Sequence, residues 1–223
     1  MNTMIRAVLF DFDGTLADTA PDLGYALNLL LERHGRVPVP LHLSRPLASR
    51  GARGMLEIGF GITPEHTRFE SLRDEYLDLY ELNMCRASEL FDGIDHLLAG
   101  LEACGLPWGI VTNKASRFTD PLLVHLSLAQ GAACVLSGDS AARAKPHPDT
   151  LLLAAERLQM PAPHCLYVGD DLRDAQAARA AGMGFVAARY GYLGVGGDPS
   201  NWQPDHIIDT PPELLAYIAR QSA

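Results

Sequence analysis

Residues 8–19 read VLFDFDGTLADT. An apolar run stops at two aspartates one residue apart, Asp11 and Asp13, and a glycine and a threonine follow at once. The run reaches back over residues 4–10 (MIRAVLF), a continuous aliphatic stretch of the kind that forms a strand buried on both faces. Side chains alternate along a strand, so residues two apart share a face. Asp11 and Asp13 are therefore expected to face one spot. Two carboxylates that close repel each other unless a cation lies between them.

Residues 18–35 read as a helix, with Thr19 as N-cap, Pro21 in the first turn and Gly35 as the stop. Helical spacing recurs at 52–58 and from 64 to about 86, where Phe69, Leu72, Tyr76, Leu79 and Tyr80 share a face. The whole segment from about 16 to 88 reads as strand-free. Beyond Phe91, helix-like and strand-like segments alternate: helix at 94–103, strand at 108–112, helix at 118–126, strand at 134–137, helix at 148–158, strand at 165–168, helix at 175–181 and strand at 185–188. A short strand at 206–208 and a helix at 212–220 follow. This predicts βαβ units. The expected fold class is α/β, a Rossmann-like doubly wound parallel sheet with an all-helical insertion after its first strand. The glycine-rich stretch GYLGVGGDPSNW (191–202) reads as an exposed loop.

The bulk properties narrow the function. A chain of 223 residues with 48% hydrophobic and 20% charged residues has enough apolar material for a packed core. Its net charge of −9 argues against nucleic acid or an anionic membrane as partner. No stretch approaches the ~18 uninterrupted apolar residues of a membrane span, and the early apolar run ends in aspartates, unlike a signal peptide. Cys85, Cys104, Cys134 and Cys165 are scattered without metal-ligand spacing and read as small buried hydrophobes in a reducing cytoplasm. Only two of the 18 basic residues are lysines, Lys114 and Lys145.

In open α/β sheets, ligands bind beyond the carboxyl ends of the strands. Asp11-Phe12-Asp13-Gly14-Thr15 follows the first strand, and Thr112-Asn113-Lys114 follows WGIV. Ala144-Lys145-Pro146 opens a later loop, and Gly169-Asp170-Asp171-Leu172-Arg173-Asp174 follows CLYV. Taken singly, each aspartate could be a helix cap or turn former. Gathered at one rim, they suit a hard divalent cation, and Mg2+ is usual where phosphate is also bound. DFDG is no EF-hand, because its glycine falls too early and no helix precedes it.

DFDGTLADT, IVTN, AKP and VGDDLRD, in that order, resemble the four signature motifs of the haloacid dehalogenase-like superfamily. The helical insertion resembles that superfamily's C1-type cap, which would divide the chain into a catalytic core at 1–15 and 89–223 and a cap at 16–88. The resemblance implies a Mg2+-dependent phosphomonoester hydrolase working on a small phosphorylated metabolite through an aspartyl-phosphate. Asp11 would be the nucleophile and a metal ligand. Asp13 would be general acid and then base, its carbonyl a further metal ligand. Gly14 would let the chain turn beneath the phosphate. Thr112 and Asn113 would hydrogen-bond the phosphoryl group, and Lys145 would neutralise it. Asp170 would bind the metal directly, while Asp171 and Asp174 would orient the site. Opening and closing of the cap would need hinges near 16–18 and 89–93.

Asp13 argues against dehalogenase chemistry. The absence of lysine from 16–88 argues against phosphonoacetaldehyde-type hydrolases, whose cap lysine forms a Schiff base. Phosphosugar mutases like β-phosphoglucomutase share the acid pair, although GDDLRD looks more like the phosphatase form. The whole chain looks like the phosphoglycolate phosphatase branch, and LPWGIVTNKASRF, YVGDDLRD and ARYGY resemble the bacterial N-acetylmuramic acid 6-phosphate phosphatases of cell-wall recycling. Arg45, Arg50 and Arg53 in SRPLASRGARG read either as a fork for a substrate carboxylate or as solvated helix residues. Arg189 and Tyr190 read either as part of the site's mouth or as structural. A non-enzymatic receiver domain, the rival from another class, also carries an aspartyl-phosphate. Receivers are shorter, carry no helical insertion and lack an acid two residues after the phosphorylated aspartate.

Overall fold

A computed structural model describes residues 4–221. Strand β1 (Ala7–Phe10) has all four side chains fully buried, as a continuous apolar run with no solvent face requires. The chain passes through a two-residue strand β2 (Ala17–Asp18), α1 (Ala20–Arg33), α2 (Leu41–Ser44), a 3-10 turn at Arg45–Arg50, α3 (Gly51–Phe60) and α4 (Phe69–Asn83), and returns through β3 (Glu89–Leu90). Alternating elements follow: α5 (Ile94–Ala103), β4 (Trp108–Val111), α6 (Ser116–His125), β5 (Cys134–Leu136), α7 (Asp149–Arg157), β6 (Cys165–Gly169), α8 (Leu172–Ala181), β7 (Gly184–Ala188), β8 (His206–Ile208) and α9 (Glu213–Gln221).

Six strands form one parallel sheet in the order β5-β4-β1-β6-β7-β8. The chain winds outward through β4 and β5, then crosses back to the other side of β1 for β6. That reversal sets the carboxyl ends of β1, β4 and β6 side by side, with Phe10 opposite both Ile110 and Val168. Val8 and Phe10 enter an apolar cluster with Leu97, Leu122 and Ile218, while Ala7 and Leu9 enter another with Leu151, Tyr167 and Ala178. Strand alternation thus divides one tetrapeptide between two helical layers. A third cluster joins Leu27, Leu31, Leu56 and Tyr76 of the helical segment to Phe118 and Tyr192.

Some expectations need correction. Residues 16–88 are not wholly strand-free, because Ala17 pairs with Leu90 and Asp18 with Glu89 in an antiparallel ribbon joining the two connections. A two-residue pairing leaves no periodicity to read. The helix expected from 64, α4, begins at Phe69, since residues 64–68 form turns closed by Phe69 N–H donating to His66 O at 2.8 Å. The glycine-rich stretch is not simply exposed, for Tyr192 and Trp202 within it are buried. Cys104 is exposed and Cys85 half-buried, whereas Cys134 and Cys165 are buried. Among the described residues, no helix is long and apolar enough to cross a membrane.

Candidate active site

The strand ends at Phe10, so both aspartates stand just beyond it. The Asp11 N–H still donates to Val168 O at 2.8 Å, as a ladder residue would. After it the chain doubles back: Leu16 and Ala17 N–H both donate to Phe12 O, and Gly14 N–H to Ala17 O. Gly14 takes a φ of +88°, and a Cβ there would lie 2.2 Å from Asp170 Oδ2. Only glycine permits both the turn and that approach. Beyond the turn, Asp11 and Asp13 both line one cavity.

Each aspartate also meets one of the chain's two lysines. Lys145 Nζ lies 2.8 Å from Asp11 Oδ1 and 2.7 Å from Asp174 Oδ1. It also donates to Val111 O and to the Tyr167 hydroxyl. Lys114 Nζ lies 3.1 Å from Asp13 Oδ1. The Thr19 hydroxyl donates to the same Asp13 oxygen rather than capping α1 as expected. The Tyr192 hydroxyl substitutes for it, accepting from the Thr19 and Ala20 N–H groups at 2.8 and 3.0 Å.

The inner group is unbalanced in charge. Carboxylate oxygens of Asp11, Asp170 and Asp174 lie within 4.8 Å of one another, all three residues are buried, and Lys145 is the cation among them. Asp170 has only neutral donors: Thr15 Oγ1 at 3.0 Å, Tyr192 N–H at 2.8 Å and Ser49 Oγ at 3.4 Å. Burial, with Asp11 and Asp174 adding repulsion, pushes its carboxyl well above the usual range. Burial, opposed by Lys145, holds Asp11 up at about 7. Burial works against the Lys145 ammonium, but Asp11 and Asp174 carry it above its ordinary value. With all three carboxylates ionised, two negative charges lack a counter-charge. A hard divalent cation at this all-oxygen donor set supplies that deficit, so the residues fit one.

Asp174 is engaged on both oxygens, Oδ1 by Lys145 and Oδ2 by the Asp171 N–H at 3.0 Å. It forms a capping box at the start of α8 with Asp171, whose side chain accepts from Arg173 N–H. The Arg173 guanidinium grips the Asp171 carboxylate through two nitrogens and donates to Ser49 O at 2.7 Å. Buried Thr112 accepts from Lys114 N–H at 3.1 Å, which leaves its hydroxyl proton free to donate. The Asn113 side chain is anchored on the Lys145 backbone, donating to its carbonyl and accepting from its N–H at 2.9 Å each. One amide proton of Asn113 remains for a ligand, and Asn113 lines the cavity.

Above the rim lies a cavity of about 550 Å³ lined by Asp11, Asp13, Lys114, Tyr76, Tyr80, Phe118 and several arginines. Arg50 and Arg53 line it. Arg45 does not, and pairs with Asp18 at 2.8 Å. Within the lining, Arg50 pairs with Glu57, Arg73 with Glu70 and Asp74, Arg117 with Glu81 and Arg173 with Asp171. Arg53 alone among these arginines has no hydrogen bond or ion pair with another described residue. Tyr190 lies outside the lining and donates to Thr15 O at 2.9 Å, and Arg189 pairs with Asp209.

Motif order, parallel sheet and the buried aspartate–lysine cluster converge on one family. The haloacid dehalogenase-like hydrolase family matches residues 8–188; the chain belongs to it and is one of its phosphatases. An N-acetylmuramic acid 6-phosphate phosphatase of Pseudomonas aeruginosa is 41% identical over 97% of this chain and 96% of its own length. A phosphoglycolate phosphatase of Xanthomonas campestris is 44% identical over 94% of each. A solved structure of a predicted phosphoglycolate phosphatase from Haemophilus somnus superposes with a TM-score of 0.85 at 24% identity, over 96% of this chain and 97% of that one, a likeness of fold.

Proposed function

We propose that the protein hydrolyses N-acetylmuramic acid 6-phosphate, with Mg2+ bound at Asp11, Asp170 and the Asp13 carbonyl. The cavity carries the choice of substrate. Its roughly 550 Å³ and aromatic wall of Tyr76, Tyr80 and Phe118 suit a sugar bearing acyl and lactyl groups, whereas a two-carbon acid would leave most of it to water. Arg53, which makes no ion pair with another described residue, supplies a guanidinium for a carboxylate. Segment 16–88 acts as the cap over a core of 1–15 and 89–223; the ends of that core, residues 1–3 and 222–223, lie outside the described residues. The relative named phosphoglycolate phosphatase, at 44% identity, supports 2-phosphoglycolate as the second reading.

Asp11 Oδ1 is held by Lys145 and by the Phe12 N–H at 2.7 Å, which leaves Oδ2 to attack phosphorus. As that bond forms, the ester P–O bond breaks and its electron pair goes to the leaving oxygen. Asp13 gives that oxygen a proton. In the second step Asp13 takes a proton from water, the new oxygen bonds to phosphorus, and the Asp11–phosphorus bond breaks. Lys145 neutralises the phosphoryl oxygens, and the Thr112 hydroxyl and backbone donors hold them. The bound metal would neutralise charge on the phosphoryl group and on Asp11.

Phosphate release from N-acetylmuramic acid 6-phosphate and from 2-phosphoglycolate, each with Mg2+ and with chelator, tests this. A kcat/KM at least ~10-fold higher for the sugar, abolished by chelator, is the expected result. Preference for the two-carbon acid would transfer the assignment to the second reading. Release from neither ester would remove both.

A further inference from the structure

We propose that Lys114 is a positioning residue for Asp13, and that Tyr80 of the helical segment sets its place. The inference rests on the acid–base role given to Asp13 above. Lys114 is one of two lysines in the chain, and its side chain is only 8% exposed. Its ammonium lies 3.1 Å from Asp13 Oδ1, 3.2 Å from the Tyr80 hydroxyl and 4.9 Å from the centroid of the Tyr80 ring.

An ammonium desolvated this far needs partners, and these come from two parts of the molecule. Asp13 belongs to the turn after β1, and Tyr80 to α4. The Lys114 backbone is fixed to the sheet side, its N–H donating to Thr112 Oγ1 and its carbonyl accepting from Gly138 N–H at 2.7 Å. The head group therefore bridges a rigid rim below and an inserted helix above.

The geometry at Asp13 gives the bridge a purpose. Lys114 and Thr19 both hold Oδ1. Among the described residues Oδ2 has no partner, and Asp13 lines the cavity. One oxygen is pinned so that the other is presented to the leaving group. Proton transfer demands a donor held within about 3 Å of the oxygen it serves, and a carboxyl free to rotate meets that demand only part of the time. The carboxylate left once the proton has gone also faces an ammonium. Removing Tyr80 from this place, by opening of the helical segment, takes away the upper hold on Lys114.

The test uses leaving groups of different basicity. A leaving alkoxide needs the proton, whereas p-nitrophenolate departs almost without it. The full-length protein, Lys114→Met and Tyr80→Phe would be compared with Mg2+ present by kcat/KM for p-nitrophenyl phosphate, phenyl phosphate and an alkyl phosphate. Lys114→Met should lose ~100-fold on the alkyl ester and no more than ~3-fold on the p-nitrophenyl ester. Tyr80→Phe keeps the ring and loses the hydroxyl, so its loss should be smaller with the same dependence on leaving group. Equal losses across the three esters in both variants, or no loss, would overturn the proposal. Should Lys114→Met fail to fold, Tyr80→Phe still decides the matter, since it removes one hydroxyl from the bridge. A native protein that hydrolyses none of the esters would instead remove the acid–base reading itself.

Discussion

Asp11 and Asp13 are neighbours in sequence with different surroundings. Asp11 belongs to a buried group one cation short of balance, while Asp13 has Lys114 to itself. Asp11→Asn should abolish phosphate release, by at least ~1000-fold, with a native circular dichroism spectrum. It should also change how stability depends on pH. A carboxyl held up to about 7 from an ordinary 3.8 binds its proton more tightly when folded. The stability tied to that proton is complete below pH 3.8 and lost as the pH rises through about 7. Metal-free protein should therefore lose melting temperature from pH 4 to 7 relative to Asp11→Asn, which has no such proton to release. A constant difference between the two melting curves over that range would contradict the buried, unbalanced site. The carboxylates were legible at this scale because their spacing is local. The partner of Asp13 was not, since Lys114 lies a hundred residues away and the sequence gives it no sign of burial.

At the scale of elements, the connections between sheet and helical segment are held more firmly than hinge positions alone suggest. Asp22, near the start of α1, is 1% exposed. Its carboxylate accepts from the Arg86, Ala87 and Ser88 N–H groups and from the Ser88 hydroxyl. The chain leaving α4 is thereby fastened to the first helix just before β3. Asp22→Ala should cost roughly 3 kcal/mol in denaturant unfolding, because it leaves three backbone donors with no acceptor. Asp22→Asn should recover part of that. Tyr192 has a comparable task at the other connection, where its hydroxyl receives the free N–H groups of α1 and its own N–H reaches Asp170. The periodicity that located α1 could not have found either residue, for both act through hydrogen bonds to residues far away in the chain.

At the scale of the molecule, the helical segment supplies one wall of the cavity, including Leu23, Tyr76 and Tyr80. Arg173 ties Ser49 O to the Asp171 loop, and Ser49 Oγ touches Asp170, so this segment reaches the innermost carboxylate. Of the cavity's arginines, Arg53 is the one without an ion pair among the described residues, although it lies in the field of Glu65. Arg53→Ala should raise KM for N-acetylmuramic acid 6-phosphate about 10-fold and leave p-nitrophenyl phosphate within ~2-fold. Equal effects on the two esters would return Arg53 to a structural role. Arg45 was indistinguishable from it in sequence, yet an ion pair to Asp18 draws it away from the cavity.

The sequence by itself determined the sheet, its flanking helices, the place of the insertion and four charged clusters at one rim. These follow from apolar periodicity and from residues that stand directly after strand ends, both of which are local properties. The tertiary structure decided which charges meet. Lys145 meets Asp11 while Lys114 meets Asp13, crossing back from β5 to β6 brings Asp170 and Asp174 beside Asp11, and the packing of α4 on the rim places Tyr80 over Lys114. A charge pair forms where burial and direction coincide in space, and for residues far apart in the chain only the folded arrangement fixes both.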